Sequence, residues 1–174
     1  MPHPTVCRTR DLTVFALLGA LLFAGDIAFE GLPNLHPVAT LTIAYTIVYR
    51  WRALIPLYIY VFLTGLSWGF QVAWVPYLIV WLPLVLLTLA VPRRAPVFLS
   101  ATLYTVIAAL HGFAFGLLWA PFQMALYGMP LSSLPAWIVS GLPYDLIHGL
   151  GNAAMSLAIL PLSRLLARLE GKEQ

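Results

Sequence analysis

Charge is scarce in this chain. Only 9% of its 174 residues are Asp, Glu, Lys or Arg, where a soluble domain of this length carries about a quarter. That deficit, beside 61% hydrophobic residues, excludes an ordinary soluble globule, a disordered chain and a basic nucleic-acid binder. Cysteine is nearly absent. Cys7 stands alone, which excludes a disulfide framework, a thiol redox pair and a thiolate zinc site. Several catalytic signatures are missing too. There is no G-x-x-x-x-G-K-[ST], no H-E-x-x-H and no C-x-x-C, so a P-loop and a zincin site are both excluded. No internal repeat supports an inverted-repeat carrier.

What is there is apolar text, cut by a few charges. A helix crossing the hydrocarbon core uses about 20 residues, so about six crossings would fill the chain. The expected fold is an all-α membrane protein, a six-helix bundle forming one integral-membrane domain over 1–174. Its spans are expected at 12–29, 37–49, 53–70, 72–91, 95–122 and 137–162. The second is short for a perpendicular crossing and needs help from the loop before it or a protein-lined surround. Pro56, Pro76, Pro83 and Pro121 fall inside the runs, where neighbours must satisfy the freed carbonyls.

The basic residues fix an orientation. With the N-terminus inside, Arg8, Arg10, Arg50, Arg52, Arg93, Arg94, Arg164, Arg168 and Lys172 all fall on one side, and the other side carries Glu30. Lys and Arg accumulate in cytoplasmic loops, so both termini are expected in the cytoplasm.

Polar residues within the spans are the candidate functional groups. In the last span Gly141, Asp145, His148, Gly149, Asn152 and Ser156 share one stripe about 100° wide. An intramembrane carboxylate needs a partner or a cavity; His148, one turn on, is one such partner. Asp145 and His148 read equally as a ligand site or as an interhelical polar clamp. In the fourth span Trp74, Tyr77 and Trp81 lie within about 60° of each other, with Trp68 and Gln71 in the preceding turn. Interfacial belts account for such aromatics, and so does a cleft that stacks on a flat heterocycle. The fifth span aligns Tyr104, Ala108, His111, Phe115 and Phe122, and a lone His there is read as a packing residue. Gly112 and Gly116 form a G-x-x-x-G, a close-approach motif. In the first span Ala16, Ala20 and Ala24 make a small-residue ridge suited to a helix partner.

The short spans, the orientation, the Ala16–Ala20–Ala24 ridge and the segment Gly141-Leu-Pro-Tyr-Asp-Leu-Ile-His-Gly-Leu-Gly-Asn152 together resemble one family across essentially the whole chain. It is the substrate-binding membrane subunits (S components) of energy-coupling-factor transporters. The resemblance implies a subunit of an ABC-type importer in a prokaryotic plasma membrane, without enzymatic activity or cofactor of its own. It would capture a vitamin or related micronutrient from outside. Its partners would be a transmembrane coupling subunit and two ATPase subunits, with Ala16, Ala20 and Ala24 as the docking surface. The ligand would lie among Trp68, Gln71, Trp74, Tyr77, Trp119, Gln123, Tyr144, Asp145 and His148, under a lid holding Asn34 and His36; Trp81 joins them from the aromatic cleft. Metal-transporting members resemble longer chains with an N-terminal Met-His, from which Met1-Pro2-His3 departs, so a metal substrate is not expected. A membrane enzyme or haem protein using Asp145, His148 and His111 is the alternative.

Overall fold

The computed structural model describes residues 9–171, so the readings placed on His3, Cys7, Arg8 and Lys172 lie outside the described residues. The described chain is helical throughout. The helices are α1 (Thr9–Ala28), α2 (Val38–Tyr49), α3 (Leu54–Trp68), α4 (Leu82–Ala90), α5 (Val97–Phe113), α6 (Phe115–Leu126), α7 (Leu134–Met155) and α8 (Ile159–Leu169). Tighter helical turns cover Arg50–Ala53, Val72–Leu78, Leu131–Ser133 and Ser156–Ala158. Five continuous stretches are long and apolar enough to cross a membrane: Thr9–Ala28, Val38–Trp68, Val72–Ala90, Val97–Leu126 and Leu131–Leu169. That count differs from the expected six because Val38–Trp68 joins the second and third runs.

The junction inside that stretch is a sharp one. Arg50 has φ 55° and ψ −133°, a backbone region that L-residues seldom occupy and that no helix continues through. Contacts with α1 give the directions on either side. Pro37 lies near Gly25, Tyr45 Oη donates to Leu18 O at 3.4 Å, and the Tyr49 ring meets Phe15 edge-on at 5.3 Å. Thus α2 runs antiparallel to α1. By contrast, Arg52 Nη2 donates to Asp11 Oδ2 at 2.7 Å and Tyr60 Oη donates to Asp26 Oδ2 at 3.1 Å, so α3 runs parallel to α1. The chain reverses at Arg50, between the expected runs 37–49 and 53–70.

Two other expected runs are each interrupted. The run 72–91 begins as the tight turn Val72–Leu78 around Pro76 and becomes α-helical only at Leu82; proline at 76 and 83 removes N–H donors that an unbroken helix needs. The run 95–122 breaks at Ala114 (φ −95°, ψ 2°) into α5 and α6. The break frees backbone donors at the start of α6, and the Asp145 carboxylate takes one of them.

The interior holds polar residues among its apolar ones, and the exterior carries many large apolar ones. Thr40, Thr42, Thr46, Thr64, Thr88, His111, His148, Asn152, Ser156 and Ser163 are buried, whereas Leu17, Leu21, Phe98, Val139 and Leu157 are exposed. That pattern suits a protein surrounded by lipid, where apolar side chains meet acyl chains and polar ones must find partners inside. Several do so along the helices: Thr46 Oγ1 donates to Thr42 O and Thr88 Oγ1 to Leu84 O, both at 2.7 Å. The centre is α2, with 11 of its 12 residues buried. The G-x-x-x-G reading holds. A Cβ on Gly112 would stand 2.7 Å from the Gly149 backbone, and one on Gly116 would stand 2.5 Å from Asp145 Oδ2.

One end of the bundle gathers the basic residues. Arg10 Nη2 donates to Leu169 O at 3.4 Å and approaches Glu170 Oε1 at 3.9 Å, while Arg50 Nη2 donates to Leu89 O at 3.0 Å. The start of α1, the α2–α3 junction and the ends of α4 and α8 therefore meet there. Asp26, the turn 29–37 and the start of α7 lie toward the opposite end.

Candidate functional site

Four rings meet near the end of the bundle remote from the arginines. Trp81, 2% exposed, stacks on His111 with centroids 5.3 Å apart and planes 24° from parallel. His148, 1% exposed, presents its edge to His36 at 4.9 Å and lies 6.4 Å from His111. His36 in turn lies 6.2 Å from Trp81. Each ring comes from a different element: the turn before α2, the residue that opens α4, α5 and α7. Phe115 closes one side, 4.8 Å from His148 and 5.7 Å from Trp81. Tyr77 and Trp119 extend the aromatic wall, with centroids 5.1 Å apart. Tyr60 lies 6.1 Å from Trp81 and ties the cluster to Asp26 through its hydroxyl.

The chemistry of this cluster lies in its ring nitrogens. His111 Nε2 is satisfied by Val80 O at 3.0 Å. His36 Nδ1, Trp81 Nε1, His111 Nδ1 and both nitrogens of His148 are buried without a hydrogen-bond partner. Leaving a buried donor or acceptor unpaired costs about 1–3 kcal/mol each. Native folds rarely tolerate a group of them without a reason. The Trp81 N–H can only donate, while a neutral imidazole offers one donor and one acceptor. The set can therefore pair with a solute carrying both kinds of group. Burial is the main influence on His36 and lowers its pKa below the ordinary value, against the opposing pull of Asp26. That favours the neutral form of its imidazole, with one nitrogen able to accept a hydrogen bond. Among the described residues no set of three or more His, Cys, Asp or Glu is arranged to hold a metal ion.

The expected site residues divide into groups. His36, Tyr77, Trp81, Trp119 and His148 come together in this cluster. Trp74 faces another way: its indole N–H donates to Val61 O at 2.8 Å and its ring meets Phe70 at 5.0 Å. The tight winding around Pro76 displaces it from the helical register that would have aligned it with Trp81. Asp145 bridges helices, both carboxylate oxygens accepting from Gly116 N at 3.0 and 3.2 Å. Its partner is thus the freed N–H at the start of α6, not His148, as the positive end of a helix favours. Asn34 holds a left-handed turn at φ 55°, a conformation Asn tolerates better than most residues. Gln123 is half-buried on α6. Trp68 and Tyr144 are exposed, and Gln71, also exposed, donates to Trp68 O at 3.1 Å. Ala16, Ala20 and Ala24 are all exposed along α1.

Sequence reasoning gave His111 a packing role, outside the enzyme or haem alternative, and left it out of the expected ligand site. Its hydrogen bond to Val80 fits that role, while its stacking on Trp81 and its unpaired Nδ1 make it part of the cluster. Its place beside Phe115 on the predicted polar–aromatic face of the fifth span was the available signal. Tyr60 and its bond to Asp26 had no signal, since they depend on α1 and α3 being parallel. Compared with known proteins, the chain matches no family model, no curated protein and no solved structure.

Proposed function

We propose that this chain is a solute-binding membrane subunit of the energy-coupling-factor type, crossing the bilayer six times with both termini in the cytoplasm. It takes a vitamin-like solute from outside and passes it to a coupling subunit served by two ATPases. The observation that carries this reading is the convergence of five unpartnered ring nitrogens on one buried aromatic cluster. A small planar heterocycle with donors and acceptors on its edge matches that set, with the half-buried Trp119 beside it for its face to stack on. Entry is through the turn 29–37, which carries His36. The exposed Ala16–Ala20–Ala24 ridge supports docking of a partner helix, because small side chains let backbones approach closely. Asp145 ties the start of α6 to α7.

The test is a ligand screen on purified protein in detergent. Quenching of tryptophan fluorescence by one compound from a panel of water-soluble vitamins and nucleobases is expected, with the same compound released on denaturation and seen by mass spectrometry. No binding across the panel and no co-purified solute would overturn the reading. A Soret band in the same preparation would favour the haem alternative built on His111 and His148. Ala20→Leu should leave binding intact and abolish uptake in cells; normal uptake would remove the docking assignment.

A further inference from the structure

At the arginine-bearing end a cavity of about 930 Å³ opens between the end of α2, the α4–α5 connection, the start of α5 and α8. Arg50, Arg93, Arg164 and Arg168 line it, with Ser100 and Tyr104 between them, and among the described residues its wall contains no acidic one. Neither of the ion pairs described at this end, Arg10–Glu170 and Arg52–Asp11, uses a cavity arginine. Arg93 lies within electrostatic reach of Arg50. Like charges gathered around one hollow repel each other, and an anion placed among them reverses that energy. Arg50 is further set by its backbone: at φ 55° it holds a conformation costly for a residue with a side chain. Its guanidinium is anchored by the Leu89 carbonyl at 3.0 Å.

The remainder of the wall is apolar, including Ile47, Val48, Val97 and Leu160. Phe98, beside Val97 in the chain, is 84% exposed on the outer face of the bundle. A ligand that is anionic at one end and greasy at the other fits such a wall. We infer that this cavity binds a phosphate ester, and that its source is an anionic phospholipid of the adjoining leaflet. The guanidinium fork matches phosphate oxygens two at a time, and basic pockets between membrane helices hold anionic head groups by this chemistry. A soluble organophosphate carries the same group without the acyl chains.

The experiment separates the two sources. Wild-type protein and the double variant Arg93→Gln/Arg164→Gln, whose altered side chains are exposed, are equilibrated with an equimolar mixture of phosphatidylglycerol and phosphatidylcholine, delipidated and weighed by native mass spectrometry. Wild type should retain phosphatidylglycerol at least tenfold over phosphatidylcholine, and the variant should lose that preference while keeping its melting temperature in phosphatidylcholine. Glycerol 3-phosphate is offered separately. If it raises the wild-type melting temperature but not the variant's, while the two lipids are retained equally, the phosphate site stands and the lipid source is overturned. Equal retention of both lipids with no response to glycerol 3-phosphate overturns the site, as does a preference that survives in the variant.

Discussion

At one end of the bundle Trp81, His36, His111 and His148 press together with five of their ring nitrogens unpaired; at the other, four arginines stand around an open hollow. Both ends keep polar groups uncompensated, but in opposite ways. The first hides neutral donors and acceptors in a packed interior, where each unpaired group carries a desolvation cost. The second leaves charge beside water and lipid, where solvent screens it. The difference teaches what each end can select. A packed ring cluster discriminates by shape and hydrogen-bond pattern, whereas an open arginine hollow discriminates by charge and tolerates many shapes.

The severest way to break the contrast is to wedge apart the two helices that join the ends. Gly112→Leu puts a side chain where even a Cβ stands 2.7 Å from the Gly149 backbone. A loss of about 3 kcal/mol or more is expected, seen as failure to purify a monodisperse protein or as a collapse of the melting temperature. His148→Leu sharpens the contrast. Solute binding should fall more than tenfold in fluorescence titration. The solute-free protein should melt at the same temperature or higher, because two unpaired nitrogens are gone. Phosphatidylglycerol retention should not change, and a parallel loss at both ends would mean that the ends are coupled. Asp145→Ala removes the acceptor for Gly116 N and should cost about 1–2 kcal/mol in stability, as loss of a helix cap does; Asp145→Asn, which keeps one acceptor, should cost less. The smallest effect is expected at Asn34. With φ 55° there, Asn34→Gly should be neutral to within a few tenths of a kcal/mol and Asn34→Val should cost about 1–2 kcal/mol, read from melting curves.

Much of the helical layout was legible because it follows from elementary constraints. The charge deficit pointed to lipid, the basic clusters marked one end, and Arg50-Trp51-Arg52 marked a reversal that the backbone makes at Arg50 itself. The polar stripe of α7 was legible by helical period: His148, Gly149, Asn152 and Ser156 are all buried. The interruptions were harder. Proline was visible at 76 and 83, yet its consequence for Trp74, a turn wound too tightly to keep the indole beside Trp81, depends on local winding that hydropathy does not report. The break at Ala114 follows no proline or glycine at that position. It is accompanied by Asp145 from another helix, so it belongs to tertiary structure. Nor did the arginines announce a cavity. As loop charges they reported orientation, and only the approach of α8 to the end of α2 turns them inward toward one another.

The buried helix α2 has a consequence for any passage through the molecule. At about 1.5 Å per residue its 12 residues measure about 18 Å, well short of the roughly 30 Å hydrocarbon layer. Neighbouring helices sheathe it, so the membrane need not pinch to meet it. It is a partition, with the packed ring cluster that holds His36 at one tip and the arginine-lined cavity at the other. Under the proposed function, a solute bound at the ring cluster and an anion in the arginine-lined cavity would sit on opposite sides of this partition.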